Sequence, residues 1–331
     1  MAIYKSDKKC DSFWSLKCRP TLFGFGVMAA IVIGAGILVA SVFYGNYQED
    51  LGLRKVKNAR AFYNLEYARQ GDRALLLDIY LPKGEKDPLP VIVWIFGGVW
   101  MWGDKTECPA EIFVEHGYAV ACINYSYMTQ ATFPEQLYEA KSAIRWIRAN
   151  ASLYQFDSER IGVFGESSGG HLAALLGTTC GVEKLEGDIG VTGYSSCVDA
   201  IVEWFGPLEF IEINKDRSTD NPYKKFRMVT EVYLGGSLRA VLENAHLATP
   251  KEHVTPDDAP FYILHGEEDE WIPVTQPKAL HQALQEAGVE SHLEIIEGMM
   301  HGWGTDNYGK KVFPPEMLEK MIVEFLDKKL K

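Results

Sequence analysis

The chain has 331 residues, of which 47% are hydrophobic and 24% are charged, so it is long enough to bury the core of one large α/β domain. Its formal net charge of −12 excludes nucleic acid or another polyanion as a favoured partner. The six cysteines are scattered singly, without a Cys-x-x-Cys pair or a His/Cys cluster, so the sequence indicates no zinc site.

Three of the cysteines bear on the expected redox environment. Cys122 lies in an apolar, strand-like run, and we interpret it as a buried thiol. Cys180 and Cys197 flank a glycine-rich loop and could pair if the domain faces an oxidising compartment. The sequence leaves that pairing open.

The N-terminal residues predict a membrane anchor. Residues 1–20 are rich in lysine and arginine, and residues 21–44 are apolar or small throughout. About 20 such residues suffice to span a bilayer, so we expect an uncleaved signal anchor at 21–44 and a polar linker at 45–60. The basic segment favours a cytoplasmic N-terminus and places the following domain outside the cytoplasm, although basic residues in the linker reduce this asymmetry. A cleaved signal peptide that releases a secreted domain is the alternative.

The remaining residues, 61–331, predict a mostly parallel eight-stranded sheet with helices on both faces. Two alternating runs at 61–68 and 74–81 indicate an antiparallel pair, and later apolar runs alternate with helical patterns. The later strands are expected at 91–96, 118–125, 160–165, 199–207, 261–266 and 293–296. Helices are expected at 111–116, 135–149, after residue 167, at 276–287 and at 317–330. Residues 209–254 interrupt the alternation and predict a small helical insertion, or cap, over the site.

A short motif organises the chemistry of this domain. Gly165-Glu166-Ser167-Ser168-Gly169 follows a β-branched run and precedes an Ala/Leu-rich run, which is the strand–turn–helix context of a nucleophile elbow. A serine hydroxyl is a weak nucleophile, so it must be exposed at a tight turn where a base can reach it. The sequence therefore predicts Ser167 as a nucleophile.

The partners of such a serine are expected after later strands of the same sheet. His301 and Asp269 each lie in a loop directly after a predicted strand, and the order Ser167, Asp269, His301 fits a serine–acid–base set. Three glutamates at 267, 268 and 270 remain rivals for the acid. We interpret His265 as a structural residue at a strand end. His171, one turn beyond the serine, is expected to form a local hydrogen bond.

The chain resembles a known family in five ordered pieces. It looks like the α/β-hydrolase esterases of the hormone-sensitive-lipase and bacterial feruloyl-esterase-like branch, near the carboxylesterase and kynurenine-formamidase groups. The pieces are Phe96-Gly-Gly-Val-Trp-Met-Trp-Gly-Asp-Lys, Gly165-Glu-Ser-Ser-Gly-Gly-His, Val202-Glu-Trp-Phe-Gly-Pro, His265-Gly-Glu-Glu-Asp269-Glu-Trp-Ile-Pro and His301-Gly. The resemblance implies an α/β-hydrolase fold over the domain that follows the predicted N-terminal transmembrane helix.

The resemblance also implies roles for individual residues. Ser167 would be the nucleophile, His301 the base and acid, and Asp269 the orienting acid. The backbone N–H groups of Gly98, Val99 and Ser168 would stabilise the oxyanion. The family commonly has His-Gly-Gly-Gly where this chain has Phe96-Gly-Gly-Val99. Valine restricts positive φ, and phenylalanine cannot make the hydrogen bonds of histidine.

The expected activity is hydrolysis of a small carboxylic ester through an acyl-enzyme intermediate, without a metal or organic cofactor. Trp100, Trp204, Trp271 and Met300 lie near predicted strand ends and are candidates for an apolar substrate pocket. Two alternatives remain open. The same triad could cleave an amide, as a peptidase or formamidase, or the chain could be a non-catalytic, membrane-tethered binding protein. The ester, the acyl length and the oligomeric state are not determined by the sequence.

Overall fold

The computed structural model describes residues 59–85, 87–211, 224–302 and 313–331. The basic segment and membrane helix predicted at 1–20 and 21–44, and nearly all of the linker predicted at 45–60, lie outside the described residues. None of the helices in the described ranges combines the length and apolar character that crossing a bilayer requires.

Eight strands form one sheet in the order β1-β2-β4-β3-β5-β6-β7-β8. Strands β1 and β2, and also β2 and β4, are antiparallel, whereas the other neighbours are parallel. The mostly parallel eight-stranded sheet predicted from the sequence is therefore confirmed. The strands are β1 Ala59–Gln70, β2 Arg73–Pro82, β3 Leu89–Ile95, β4 Ala119–Ile123, β5 Phe156–Glu166, β6 Ala200–Trp204, β7 Phe261–Gly266 and β8 Ser291–Ile296.

Seven α-helices and four short 3-10 helices are found in the described residues. The predicted helix at 111–116 is 3-10 rather than α-helical and begins two residues earlier. The α-helices are α1 Glu135–Ala149, α2 Ala151–Tyr154, α3 Ser168–Thr178, α4 Lys224–Leu234, α5 Leu242–Leu247, α6 Thr275–Glu286 and α7 Pro315–Leu330. The 3-10 helices are Lys105–Glu107, Pro109–His116, Glu183–Leu185 and Pro250–Glu252. The described part of residues 209–254 thus contains α4, α5 and one 3-10 helix.

Helices cover both faces of the sheet. Gly162 of β5 lies against Leu330 of α7. Ile201 of β6 is in register with Val163, the residue that follows Gly162, and it lies against Gly177 of α3. Successive residues of a strand point to opposite faces, so α3 and α7 lie on opposite sides. A sheet covered in this way has strands that are apolar throughout, and every residue of β3, β4 and β6 is buried.

Two disulfides cross-link the part of the domain that the structure describes. Cys108, which follows the loop after β3, is bonded to Cys122 of β4, and Cys180 is bonded to Cys197. The prediction of a buried thiol at Cys122 is therefore wrong, because the chain after β3 folds back over β4 and brings a second cysteine to it. The pairing of Cys180 with Cys197, which the sequence left open, is present.

The parallel strands place four loops at one edge of the sheet. The carboxyl ends of β3, β5, β7 and β8 lead into the loops that carry the Gly-Gly-Val sequence, Ser167, Asp269 and His301, respectively. Ligand-binding groups of doubly wound sheets gather at this edge, and the candidate site lies there.

Candidate active site

Ser167 occupies a tight turn between β5 and α3. Its backbone has φ 49° and ψ −121°, a conformation that L-residues rarely adopt, and its N–H donates to the carbonyl oxygen of Trp204 at 2.8 Å. The glycines around it are required by close backbone approach. A Cβ at Gly165 would lie 2.2 Å from the carbonyl oxygen of Gly169, and a Cβ at Gly169 would lie 2.1 Å from that of Ile95. These contacts give the geometry that a nucleophile elbow needs.

The structure brings Ser167, His301 and Asp269 into one hydrogen-bonded chain. Ser167 Oγ lies 3.0 Å from His301 Nε2, and His301 Nδ1 lies 2.7 Å from Asp269 Oδ2. Because a carboxylate only accepts, His301 carries its proton on Nδ1 and presents the lone pair of Nε2 to the serine hydroxyl. The three residues are separated by up to 134 positions in the chain, and the sheet edge alone brings them together.

Asp269 is distinguished from its acidic neighbours by burial and by hydrogen bonds. Its side chain is fully buried, and its second oxygen, Oδ1, accepts from the backbone N–H groups of Trp271 and Ile272, both at 2.8 Å. Burial raises the pKa of Asp269, but the charge and hydrogen bond of His301, with His265 and the Ile272 amide, outweigh burial and leave the pKa below its ordinary value. The exposed rivals are Glu267, Glu268 and Glu270.

The loop after β3, residues 96–105, lies against the elbow, and we call it the oxyanion loop. A Cβ at Gly97 would lie 3.2 Å from Cβ of Ser167, which measures how closely the two turns approach. The amides of Gly98 and Val99 donate to none of the backbone carbonyls in the described ranges, and the amide of Ser168 lies in the first turn of α3, where helical partners are lacking. These three N–H groups are therefore available to an anionic oxygen.

Val99 and Trp100 adopt an unusual backbone conformation. Their φ angles are 56° and 54°, in the region that a β-branched or bulky residue rarely occupies. The sequence raised this concern for Val99, and the structure places it there nevertheless. The surroundings hold the turn, because the carbonyl of Trp100 accepts from the N–H of Met128 at 2.6 Å and its indole stacks on Tyr233 of α4 at 4.0 Å.

Tyr125 was not among the residues singled out from the sequence, yet it connects the two turns. Its ring stacks on Phe96 at 4.3 Å, and its hydroxyl donates to the carbonyl of Phe96 at 3.0 Å and lies 3.2 Å from Ser168 Oγ. The hydroxyl thus links the backbone of the oxyanion loop to the first residue of α3. A signal was present, because Tyr125 lies shortly after β4, the parallel neighbour of β3. The carboxyl ends of these two strands lie at the same edge of the sheet.

The four pocket candidates fall into two groups. Trp100 and Trp204 are fully buried and pack with other aromatic side chains, so they do not line an accessible surface. Trp271 is 39% exposed, and its ring lies 6.3 Å from that of His301. Met300, which precedes His301 in the sequence, is partly exposed. Phe205, which the sequence did not indicate, packs edge-on against His301 at 4.6 Å.

His171 does not form the local hydrogen bond that we expected. It is fully buried, and its Nε2 lies 2.7 Å from the carbonyl oxygen of Ala248, 77 residues away in the insertion. Burial lowers the pKa of His171 to about 3, against the opposing effect of the Ala248 carbonyl, so the ring is neutral and donates from Nε2. The prediction failed because α3 lies under the insertion, which sequence spacing does not reveal.

Within the described ranges, no group of three or more His, Cys, Asp or Glu side chains is placed to hold a metal ion. The groups available for chemistry are the nucleophile, the imidazole, the carboxylate and the backbone N–H groups. This set fits transfer of an acyl group through a tetrahedral intermediate.

Known esterases are similar to this chain in sequence and in structure. The model of the BD-FAE family matches residues 77–284. Esterase LipC of Mycobacterium tuberculosis is 29% identical over 70% of this chain and 58% of its own length. A probable isoprenylcysteine alpha-carbonyl methylesterase of Arabidopsis thaliana, ICMEL1, is 28% identical over 68% of this chain and 48% of its own length. The chain thus spans about half the length of these curated relatives.

Solved structures give the same result. A truncated carbohydrate esterase from gut microbiota has a TM-score of 0.72 and 28% identity, covering 84% of this chain and 99% of that one. The thermophilic esterase Est2 of Thermogutta terrifontis, with propionate bound, has a TM-score of 0.66 and 25% identity, covering 83% of this chain and 95% of that one. The chain belongs to the BD-FAE family, in the esterase branch of the α/β-hydrolase fold.

Proposed function

We propose that the protein is a serine hydrolase that cleaves carboxylic esters through an acyl-enzyme intermediate. The observation that carries the proposal is the continuous chain from Ser167 Oγ to His301 Nε2 at 3.0 Å and from His301 Nδ1 to Asp269 Oδ2 at 2.7 Å. The esterases among its relatives support the same reaction class.

The reaction follows from this arrangement. Ser167 Oγ attacks the ester carbonyl while its proton passes to His301 Nε2, and Asp269 stabilises the imidazolium that forms. The carbonyl oxygen becomes anionic and accepts hydrogen bonds from the N–H groups of Gly98, Val99 and Ser168. His301 then protonates the leaving alcohol, and the acyl group remains on Ser167. A water molecule, deprotonated by His301, releases the acid and regenerates the enzyme.

Substitution of the nucleophile tests the proposal. With a short p-nitrophenyl ester, we expect Ser167→Ala to lower kcat by about 10⁶-fold, since the serine–histidine pair acts as a unit. Ser152→Ala, which changes an exposed serine of α2, is the matched control and should retain full activity. A Ser167→Ala variant that turns the ester over at the wild-type rate contradicts the assignment.

A fluorophosphonate probe separates the enzyme from a non-catalytic binding protein. The wild type should be labelled at Ser167, because the probe reacts only with an activated hydroxyl. Absence of an adduct would favour the binding protein. An anilide tested beside the matching ester separates esterase from amidase, and we expect the ester to be turned over faster, because its alcohol is the easier leaving group to expel.

We propose further that the alcohol portion of the ester is a carbohydrate. Trp271 offers an exposed apolar ring beside His301, and the same loop carries the exposed carboxylates of Glu267, Glu268 and Glu270, which can accept hydrogen bonds from sugar hydroxyls. The carbohydrate esterase from gut microbiota supports this class of substrate.

Comparison of two substrates tests the carbohydrate. Trp271→Ala should raise KM for an acetylated or feruloylated xylo-oligosaccharide and leave KM for p-nitrophenyl acetate unchanged. Tyr63→Ala removes an exposed aromatic ring from the edge strand β1 and serves as the control. Equal effects of Trp271→Ala on both substrates contradict the proposal.

We propose that the domain works outside the cytoplasm, held by an N-terminal membrane anchor at residues 21–44. The pairs Cys108–Cys122 and Cys180–Cys197 support this location, since disulfides persist in oxidising compartments. Membrane fractionation of intact cells, followed by protease added from outside, tests both parts. Full protection of the domain from protease contradicts the orientation, and recovery in the culture medium indicates cleavage instead.

A further inference from the structure

His265 lies beside the candidate triad but has no part in the reaction described above. It is the fifth residue of β7, and its imidazole is fully buried. Nε2 lies 2.7 Å from the carbonyl oxygen of Ile272 and 3.4 Å from Asp269 Oδ2. Both neighbours only accept, so Nε2 carries a proton, and one N–H group faces a carbonyl and the catalytic carboxylate together.

The ring is neutral. Burial lowers the pKa of His265, and the charge of Asp269 opposes that effect without cancelling it. Nδ1 is buried and has no hydrogen-bond partner within the described ranges. A neutral imidazole with its proton on Nε2 is therefore a fixed donor rather than a second proton acceptor for the reaction.

The contacts of His265 close a small loop around the acid. Ile272 donates its N–H to Asp269 Oδ1 at 2.8 Å and accepts from His265 Nε2 at 2.7 Å. The imidazole of His265 therefore binds Ile272, the same residue whose N–H binds the carboxylate of Asp269. With His301 and the Trp271 amide, Asp269 is surrounded by donors on both oxygens.

Titratable groups on three elements face this carboxylate. His301 follows β8, His265 lies in β7, and Glu203 lies in β6. The pKa of Glu203 is raised to about 8, chiefly by burial, with the Gly206 amide opposing this rise and the charge of Asp269 adding to it. Glu203 is thus the neutral member of a pair of buried carboxyl groups, and Asp269 is the ionised one.

We propose that His265 is a positioning residue for the catalytic acid: its shared Nε2–H keeps Asp269 ionised and aimed at His301. The inference rests on the proposed serine hydrolase function. A purely structural residue at the end of a strand would stabilise the fold and leave the chemistry of the remaining folded enzyme unchanged.

The chain contains a matched control in His171. Both imidazoles are fully buried, and both donate from Nε2 to a backbone carbonyl at 2.7 Å, Ala248 for one and Ile272 for the other. Of these two imidazoles, only that of His265 lies near the carboxylate of Asp269, with Nε2 at 3.4 Å from Oδ2. His265→Leu and His171→Leu therefore remove the same kind of buried hydrogen bond. Only His265→Leu also removes a contact with the acid, whereas His171 packs edge-on against Trp100 instead.

The experiment measures kcat, KM and the pH profile of each variant with a short p-nitrophenyl ester, with active sites counted by fluorophosphonate labelling. We expect His265→Leu to lower kcat per labelled site by about 10²-fold, as for a misplaced catalytic group, with KM unchanged. The acid limb of kcat/KM should move to higher pH, because a carboxylate that loses a donor makes the Asp269–His301 pair hold its proton more tightly. His171→Leu should lower stability without moving that limb.

His265→Gln provides the rescue, because its amide can place an N–H close to the position of Nε2, whereas the donor of His265→Asn is one bond too short. We expect the Gln variant to exceed the Asn variant in kcat by about tenfold, about 1.4 kcal/mol. This pair also serves if His265→Leu fails to fold. Equal kcat for Gln and Asn, or an unmoved acid limb in His265→Leu, overturns the proposal. Wild-type protein that neither hydrolyses the ester nor takes the label refutes the proposed function instead.

Discussion

Ser167 and Val99 both adopt positive φ, at 49° and 56°, in neighbouring turns of the same sheet edge, but the two turns are held in different ways. The elbow is held by contacts within one contiguous stretch and its flanking strands, where Gly165 and Gly169 let backbones meet. The oxyanion loop is held by backbone and side-chain contacts that come from distant parts of the chain. An elbow can therefore be encoded by a short motif, whereas the oxyanion loop depends on the whole fold.

Besides the contacts of Trp100, two distant supports of the oxyanion loop lie at its ends. At its C-terminal end, Lys105 Nζ lies 2.9 Å from Asp78 Oδ1 of β2, and the two side chains are 4% and 1% exposed. At its N-terminal end, the Tyr125 hydroxyl donates to the carbonyl of Phe96. Substitutions at these positions and in the elbow distinguish the two kinds of support.

The largest effect is expected in the elbow. A Cβ at Gly169 would lie 2.1 Å and 2.5 Å from the carbonyl oxygens of Ile95 and Phe96, and neither backbone can move without disturbing β3. We expect Gly169→Ala to lower the free energy of unfolding by more than about 4 kcal/mol and to abolish labelling of Ser167. Urea unfolding and fluorophosphonate labelling measure the two outcomes.

Gly117→Ala is the control for backbone conformation alone. Gly117 has φ 81°, and its Cβ would meet no atom within 4 Å. Only the left-handed conformation is penalised there, at about 1–2 kcal/mol. Equal destabilisation by the two substitutions would mean that close backbone approach does not determine the elbow.

The next largest effect is expected at the buried ion pair. Lys105→Met leaves the Asp78 carboxylate buried without its counter-charge, which should cost about 3 kcal/mol of stability and displace the oxyanion loop. The loss of oxyanion donors should lower kcat by about 10²-fold or more. Urea unfolding and steady-state kinetics with the short ester test this.

Adding Asp78→Leu to Lys105→Met separates charge burial from loop support. The double variant contains no unpaired charge, so we expect it to recover most of the stability but little of the kcat. A double variant as unstable as Lys105→Met contradicts the assignment of the cost to the buried carboxylate.

The same division explains what could be predicted from the sequence. Ser167 and the order of its partners follow from local patterns and from the rule that parallel strands end at one edge. Asp269 could not be separated from Glu268 or Glu270, because burial and the two amide bonds to its Oδ1 arise only when the loop folds. Tyr125 was missed for a similar reason, since its hydroxyl contacts Phe96 and Ser168, which follow β3 and β5 and come near it only when the sheet forms.

Burial also explains why the aromatic candidates divide as they do. Trp204 and Trp271 both follow the pattern of an aromatic near a strand end, but Trp204 packs on Phe164 within the core and Trp271 lies in the loop beside His301. Periodicity predicts the element in which a residue lies. It does not predict which other element packs against that residue. For this reason the link from His171 to Ala248 in the insertion was not predicted.

Tyr125 joins the two turns compared above, and its removal should have the smallest effect on stability. Burial raises the pKa of its hydroxyl, so the group stays protonated and donates to Phe96. Tyr125→Phe keeps the stacked ring and removes that donor, which should cost about 1 kcal/mol. The loop then loses its tie to Ser168, and we expect kcat to fall about tenfold, about 1.4 kcal/mol, with KM nearly unchanged.

Tyr127→Phe provides the matched control for this last prediction. The Tyr127 hydroxyl donates to the carbonyl of Gly103 at 2.7 Å, in the same loop, but only Tyr125 reaches Ser168 of the elbow, at 3.2 Å. If the contact between the two turns matters for catalysis, the two variants lose similar stability and only Tyr125→Phe loses kcat. Equal kcat values would mean that the remaining supports suffice to hold the oxyanion loop, and that the loop and the elbow are positioned independently.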